Sequence, residues 1–272
     1  MSTWFNGGAV AGAWTGTRAL HYGDGVFRTA LVLDGRVVDR DRQLARLLRD
    51  AEALSLQATD TALLGTEADA LAQTAMQGVL RITLSRTDSG RGYTALSDAC
   101  DRLLQLRPLP AHAAASWIEG VNLQWSPVLL GIQRRLAGIK HLNRLEQVLA
   151  SRDWQADQQE ALMCDAEGRV VCGTRSNVFF VIDGVLVTPE LSSAGVAGMM
   201  RDKLIELACT RGPGCEIGTI SPDEVRHASE AFVSNSLIGL WPVRRIGRLD
   251  LPAPGPVTRQ MAALLDHPWS GS

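Results

Sequence analysis

The stretch Ala137-Gly138-Ile139-Lys140-His141-Leu142-Asn143-Arg144-Leu145-Glu146-Gln147 decides most of what the sequence predicts about the fold. Its lysine follows an apolar, glycine-containing lead-in and precedes leucines at positions 142, 145 and 149, which recur at helical spacing. We therefore expect a helix directly after Lys140, and we expect the lysine, at the N-terminal end of that helix, to be partly desolvated. Desolvation disfavours the charged amine and makes it available as a nucleophile or a base. A surface lysine that merely precedes a helix would have the same spacing.

Five further groups of residues accompany this stretch, in a fixed order along the chain. They are His21 to Phe27; Ser85-Arg86 with Gly90 to Tyr93; Gly168 to Val171 with Ser176 to Phe179; Gly195 to Arg201; and Ser234 to Ser236 with Trp241 to Val243. Together the six blocks resemble the class IV, D-amino-acid/branched-chain aminotransferase-like family of pyridoxal-phosphate (PLP) enzymes. Within that family, Lys140 to Arg144 is similar to the lyase branch.

The resemblance implies a mixed α/β (α+β) chain with the two-domain PLP fold type IV. We expect a smaller N-terminal α/β domain over residues 1–112 and a larger C-terminal PLP-binding domain, with a barrel-like sheet, over residues 113–272. Relatives hold PLP at the domain interface and usually form homodimers. The residues themselves favour the same class, because strands and helices are intermixed around a proline- and alanine-rich crossing at residues 108–116.

Local patterns predict the main elements of both halves. Each half contains an Asp-Gly pair between two β-prone runs, which is typical of a tight hairpin. The predicted strands are Val26 to Leu33, Arg36 to Val38, Val79 to Ser85, Asn177 to Ile182 and Val185 to Val187, and the predicted helices are Arg42 to Leu54 and Met199 to Cys209.

Composition excludes several classes of function. Hydrophobic residues make up 46 % of the chain, charged residues 21 %, and the net charge is -2, which does not suggest a nucleic-acid surface. No signal-peptide pattern or membrane-spanning apolar run is present. The five cysteines have no CxxC spacing and the five histidines are scattered, so we expect reduced thiols and no metal site. These features predict a cytoplasmic protein that binds neither membrane nor nucleic acid.

The resemblance assigns the cofactor-binding residues. Lys140 would carry PLP covalently and transfer protons, and the amides of Met199 and Met200 would bind the phosphate at a helix start, where free N–H groups favour an anion. Ser236 and Arg46 match a hydroxyl and an arginine that hold the phosphate in relatives. From the residues alone, without the resemblance, the helix start at Met199 would be an ordinary junction between a helix and a strand, and Arg46 would be a solvated arginine on a helix.

The resemblance also assigns substrate-binding residues. Phe27 and Thr29 alternate on one predicted strand, so both can face one side, where relatives bind substrate and where Thr29 is a catalytic candidate. Arg91 and Tyr93 lie on a loop where related enzymes place a carboxylate-binding arginine; a turn arginine in water is the alternative. Asn143 is a substrate-binding candidate that could instead cap the helix after Lys140.

One position departs from the family pattern. Cys172 stands where most members have a glutamate that bonds the pyridine nitrogen of PLP and keeps it protonated. A thiol cannot support a protonated ring in the same way. Another residue could supply the carboxylate, the ring could work in a less protonated form, or activity could be lost.

The resemblance to the lyase branch implies the function that we expect, which is elimination from 4-amino-4-deoxychorismate to yield 4-aminobenzoate and pyruvate for folate synthesis. The alternatives are an aminotransferase for D-amino or branched-chain acids, and a non-catalytic PLP-binding protein.

Overall fold

The computed structural model describes residues 2–9, 17–57, 60–87, 92–152 and 154–269. The chain forms two compact units. The first consists of residues 1–111 together with 139–143, and the second of residues 112–138 together with 144–272. The short segment that carries Lys140 thus belongs to the first unit. The domain boundary at residues 112/113 stays a prediction.

The first unit is a six-stranded sheet covered by two helices. The strands lie in the order β2-β1-β6-β5-β3-β4, and each neighbouring pair is antiparallel. Its elements are β1 (Ser2–Phe5), β2 (Gly8–Ala9), α1 (Arg18–Tyr22), β3 (Gly25–Leu33), β4 (Arg36–Val37), α2 (Arg40–Ala53), α3 (Thr61–Ala72), β5 (Gln77–Arg86) and β6 (Cys100–Arg107).

Hydrophobic packing explains how α2 and α3 cover this sheet. Leu44 and Leu47 of α2 and Leu71 of α3 are buried in one cluster with Val26 of β3 and Leu80 of β5. The predicted strands and the predicted helix in this half are confirmed, with ends that differ by one or two residues. Helix α2 packs along β3, so the positions of the charged residues of α2 relative to that strand are fixed.

Both predicted hairpin turns form because their Asp-Gly pairs adopt positive φ angles. Asp34 and Gly35 have φ values of 50° and 68°, and Asp183 and Gly184 have values of 50° and 80°. Two successive positive φ angles match the twist of antiparallel strands, and glycine and aspartate tolerate them better than most residues. The first turn connects β3 to β4, and the second connects the two strands that flank Asp183 and Gly184 in the second unit.

The second unit contains a nine-stranded sheet in the order β12-β11-β10-β13-β14-β7-β8-β9, with β15 paired to β14. Its elements are α4 (Ala115–Ile118), β7 (Val121–Trp125), α5 (Leu145–Arg152), β8 (Glu160–Cys164), β9 (Val170–Gly173), β10 (Asn177–Ile182), β11 (Val185–Pro189), α6 (Met199–Arg211), β12 (Glu216–Gly218), α7 (Pro222–Val225), β13 (Ala228–Asn235), β14 (Gly239–Ile246), β15 (Leu249–Asp250) and α8 (Pro256–Leu264).

Strand β10 is buried on both faces, which explains its continuous apolar sequence. Val178 and Phe180 belong to a cluster on one face, whereas Phe179 packs on the other face with residues of α6 and α8. The Phe179 ring stacks on that of Phe232 with 4.8 Å between centroids. This packing holds the start of α6 against the sheet, and the predicted helix from Met199 is confirmed.

The predicted helix directly after Lys140 is wrong. Residues 139–143 are not helical, and α5 begins only at Leu145. Leu145 and Leu149 are 69 % and 41 % exposed, and the buried residue of α5 is Ala150. Pairing with β3 draws residues 140–142 into an extended conformation, a tertiary contact that the leucine spacing does not reveal.

No helix among the described residues is both long enough and apolar enough to span a bilayer.

Candidate active site

In the first unit, Lys140 lies on a segment that is bonded to strand β3. The backbone N–H of Phe27 donates to the Lys140 carbonyl at 3.0 Å, and the Leu142 N–H donates to the Gly25 carbonyl at 3.0 Å. Val26 and His141 form an antiparallel bridge between these two bonds. The Lys140 backbone is therefore held in register with β3 as if it belonged to a short additional strand.

Two cations approach the ring of Phe27. The Lys140 Nζ lies 4.8 Å from the ring centroid, and the guanidinium carbon of Arg81 lies 3.8 Å from it. Arg81 faces Thr29 across the β3–β5 pairing, so Phe27, Thr29 and Arg81 share one face of the sheet. Burial and the nearby Arg107 both lower the pKa of Arg81. A partly desolvated cation of this kind gains from binding an anion.

On the other side of Lys140, a buried carboxylate on α2 accepts two hydrogen bonds and forms an ion pair with a further guanidinium. Asp50 Oδ2 accepts from the Lys140 backbone N–H at 3.0 Å and from the guanidinium of Arg28. Its Oδ1 lies 3.6 Å from Arg46 Nε. The side chain of Arg46 is only 12 % exposed, so the interpretation of Arg46 as a solvated arginine is wrong.

The other predicted substrate residues of this unit are differently placed. Arg91 lies outside the described residues. Tyr93 is highly exposed, and its carbonyl accepts from the buried guanidinium of Arg18 at 3.1 Å. Asn143 is exposed and its Nδ2 lies 3.5 Å from the Gly23 carbonyl, two residues before the start of α5. Their roles toward a substrate stay predictions.

In the second unit, the start of α6 presents backbone N–H groups at an extended glycine. Gly198 has φ -74° and ψ 145°, and within the described residues no side chain caps the helix there. Asn177 fastens the preceding turn, because its Oδ1 accepts from the Gly198 N–H at 3.0 Å and its Nδ2 donates to the Val196 carbonyl at 2.8 Å. The first amides of the helix, those of Met199 and Met200, follow this fixed turn.

Ser236 lies on the turn between β13 and β14. Asn235 Oδ1 accepts from the backbone N–H of Leu237 and of Ile238 at 2.9 and 3.1 Å. Two indole N–H groups, from Trp117 and Trp269, donate to the carbonyls of Ile238 and Leu237. These bonds hold the turn, and with it the half-buried Ser236, in one conformation.

Cys172 is buried on β9, opposite Met163 of β8. It packs among apolar neighbours that include Leu130 and Val171. Burial lowers the pKa of the Arg144 guanidinium, while the nearby Cys172 and Glu146 act in the opposite direction. The electrostatic environment of Cys172 therefore includes a cation.

Glu160 is a buried carboxylate on the strand next to Cys172, but its oxygens are already used. Its Oε1 accepts from the amides of Ala161 and Thr174 and from the Thr174 hydroxyl, and its Oε2 accepts from the Ser176 hydroxyl at 2.7 Å and the Arg175 amide at 3.3 Å. Five donors saturate a carboxylate. Glu160 therefore serves the loop 174–176 rather than replacing the carboxylate missing at position 172.

Comparison with known proteins agrees with this architecture. The family profile for amino-transferase class IV matches residues 25–246. The aminodeoxychorismate lyase of Vibrio harveyi is 30 % identical over 270 residues, covering 97 % of this chain and 99 % of the relative. The crystal structure of 4-amino-4-deoxychorismate lyase from Pseudomonas aeruginosa superposes with a TM-score of 0.92 at 39 % identity, covering 96 % and 97 % of the two chains.

An aminotransferase is also similar. The branched-chain-amino-acid aminotransferase of Escherichia coli is 26 % identical over 279 residues, covering 95 % of this chain and 89 % of the relative. The chain belongs to the class IV aminotransferase family and has its mixed α/β, type IV fold. Members of this family depend on PLP.

The residues present fit PLP. In the first unit, Arg28 and Arg46 bring two positive charges against the single negative charge of Asp50. That surplus of positive charge suits a phosphate. In the second unit, the uncapped start of α6 offers the N–H groups that an anion prefers.

Sequence reasoning missed Arg81 and Asp50. Arg81 could have been found from strand alternation, because it lies on the predicted strand Val79 to Ser85 and pairs with the strand that carries Thr29. Asp50 could have been found from the helix pattern, because it is three residues after Leu47 and one before Ala51 on an apolar face. A charged residue on such a face requires buried partners.

Replacing Gly198 with alanine tests the turn before α6. An added Cβ would lie 2.4 Å from Asn177 Oδ1, so the asparagine must move. We expect Gly198→Ala to lower the free energy of unfolding by about 1–3 kcal/mol, measured by denaturant titration. Gly218→Ala is the matched control, since an added Cβ there meets no atom within 4 Å. Equal stability of the two variants would contradict the fixed turn.

Proposed function

We propose that this protein is a PLP-dependent 4-amino-4-deoxychorismate lyase, which releases 4-aminobenzoate and pyruvate. The observation that carries the proposal is the setting of Lys140. Its backbone is held on both sides, by β3 and by Asp50, and its amine lies beside the Phe27 ring. The chain has one other lysine, Lys203, whose buried Nζ donates to the Asp266 carbonyl at 2.9 Å.

The groups that we propose to hold PLP are the side chains of Lys140 and Arg46, the amides of Met199 and Met200, and the hydroxyl of Ser236. When bound, PLP supplies a carbonyl that condenses with the substrate amine and a ring that withdraws electrons from the neighbouring carbon.

The residues of this chain then have proton transfers and binding to perform. Lys140 removes the proton from the substrate carbon that bears the amine. The carbon–oxygen bond to the neighbouring enolpyruvyl group breaks, and a proton added to the methylene carbon of the released enolpyruvate gives pyruvate. The ring product is aromatic, which provides a driving force that amino-group transfer lacks. Thr29, on the same strand face as Phe27, is the further catalytic candidate.

Arg81 suits one of the two carboxylates of this substrate. It is partly desolvated, next to a second cation, and on the face of the sheet that carries Phe27 and Thr29. A carboxylate bound to a guanidinium forms charge-assisted hydrogen bonds that are stronger than neutral ones. Arg91, the carboxylate-binding arginine predicted from sequence, would serve the other carboxylate.

Cys172 favours the lyase over an aminotransferase. The nearby guanidinium of Arg144 opposes protonation of a neighbouring base, and Glu160 is occupied elsewhere. Both observations support a weakly protonated cofactor ring, a modest electron sink. An elimination that ends in an aromatic ring requires less electron withdrawal by the cofactor ring. Similarity to branched-chain aminotransferases nevertheless keeps amino-group transfer as the second candidate.

The deciding assay follows 4-aminobenzoate formed from enzymatically generated aminodeoxychorismate. We expect turnover by the purified protein and a loss of about 10²–10⁴-fold in Lys140→Ala, because a positioned acid–base group contributes that much. Borohydride should fix PLP on the peptide that contains Lys140. An adduct on Lys203, or an active Lys140→Ala variant, would exclude the proposed role, and absence of turnover would favour the non-catalytic alternative.

Arg81→Gln tests carboxylate binding. We expect kcat/KM to fall by the equivalent of about 1.5–3 kcal/mol, with PLP affinity unchanged, because a charge-assisted contact to substrate is lost. Arg107→Gln is the control, since Arg107 is a neighbouring arginine that is exposed. If both variants keep the kcat/KM of the parent protein, Arg81 does not bind substrate.

Cys172→Glu tests the position of this strand relative to the cofactor ring. A carboxylate there should favour the protonated ring, alter the pH dependence of the cofactor absorbance, and speed the slow transfer of the alanine amino group more than it changes lyase turnover. Overpacking by the larger side chain costs about 1–3 kcal/mol, so Cys172→Asp is the size control. If neither variant changes the absorbance, Cys172 does not face the ring.

A further inference from the structure

Asp50 contacts both the backbone of Lys140 and the side chain of Arg46. It is 2 % exposed and lies near the end of α2, one helical turn after Arg46. Its partners come from three separate elements: strand β3, helix α2 and the Lys140 segment. A buried carboxylate with such partners cannot move without displacing them.

The bond from the Lys140 N–H fixes the peptide unit that precedes the lysine. The Lys140 carbonyl, on the following peptide unit, accepts from Phe27 of β3 at 3.0 Å. The two peptide units that flank the Lys140 Cα are thus anchored to different elements, α2 and β3. Because both flanking units are fixed, the direction in which the Lys140 side chain leaves the backbone is fixed as well.

Charge strengthens this arrangement. Arg28 is 4 % exposed and forms an ion pair with Asp50 Oδ2, the same oxygen that accepts the Lys140 N–H. Arg46 faces the other oxygen. Each Asp50 oxygen therefore interacts with one arginine, and together the two arginines fix the orientation of the carboxylate plane.

We propose that Asp50 is a positioning residue that sets the Lys140 backbone and the Arg46 guanidinium relative to each other. One carboxylate would then align the amine that attaches the cofactor with the arginine that binds its phosphate. This inference rests on the proposed function, in which Lys140 and Arg46 hold PLP.

The test compares variants at position 50 by the PLP dissociation constant and by the yield of borohydride-stable adduct on Lys140. Asp50→Ala should weaken PLP binding and lower the adduct yield at fixed PLP by at least tenfold. Asp50→Asn keeps an oxygen that can accept the Lys140 N–H, so its adduct yield should stay within about threefold of the parent protein. Asp69→Ala, which removes a half-exposed partner of Arg40 in the same unit, should change neither quantity.

A second pair of variants separates positioning from stability. Asp50→Ala leaves Arg28 buried without its ion-pair partner, so Asp50→Ala/Arg28→Met should recover thermal stability. The adduct yield of this double variant should remain low, because the Lys140 N–H still lacks its acceptor. If the double variant recovers the adduct yield together with thermal stability, the proposal is overturned. Should Asp50→Ala not fold, Asp50→Ser, whose hydroxyl is too short to serve Lys140 and both arginines, replaces it with the same expected loss.

Coupling to Arg46 is measured by a double-mutant cycle on the PLP dissociation constant. Because Asp50 acts through Arg46, Asp50→Ala/Arg46→Ala should weaken binding by clearly less than the product of the two single effects. The positioning role is refuted if the PLP dissociation constant of the double variant changes by the full product of the two single effects. It is also refuted if Asp50→Ala folds and keeps the PLP affinity and adduct yield of the parent protein. If the unaltered protein forms no adduct on Lys140 at all, the proposed function fails instead.

Discussion

The pairing of residues 140–142 with strand β3 is the contact that determines the surroundings of Lys140 in the first unit. These residues are distant in sequence from β3, yet their backbone groups continue the hydrogen bonding of that strand. The pairing gives a flexible lysine side chain a rigid base. It also brings Lys140 next to Asp50 on one side and Phe27 on the other, so one short segment meets both an anionic and an aromatic environment.

Much of the fold could be predicted because local chemistry dictates it. The Asp-Gly turns require positive φ angles that few other pairs tolerate, and the apolar face of α2 shows the period of a buried helix. Strand β10 is a continuous apolar run because both of its faces are covered. In each case the pattern that predicts the element is contained within the element itself.

The surroundings of Lys140 could not be predicted from local patterns. The leucines after it have helical spacing, but pairing with β3 outweighs that preference over residues 140–142. Asp50 meets Arg28 and Lys140 across 22 and 90 positions of sequence, which no local period encodes. The family motifs supplied most of the candidate site residues, Lys140, Met199 and Ser236 among them, whereas Arg81 and Asp50 emerged only from strand register and helix packing.

The five donors around Glu160 have a consequence for the dynamics of the second unit. The amides of Thr174 and Arg175 lie in a loop, where backbone N–H groups ordinarily exchange their hydrogens with solvent quickly. Here both donate to a carboxylate that is 1 % exposed. Exchange therefore requires the buried carboxylate to be released, which is an opening of the surrounding sheet rather than of the loop alone. The loop between β9 and β10 is thus dynamically part of the sheet that it connects.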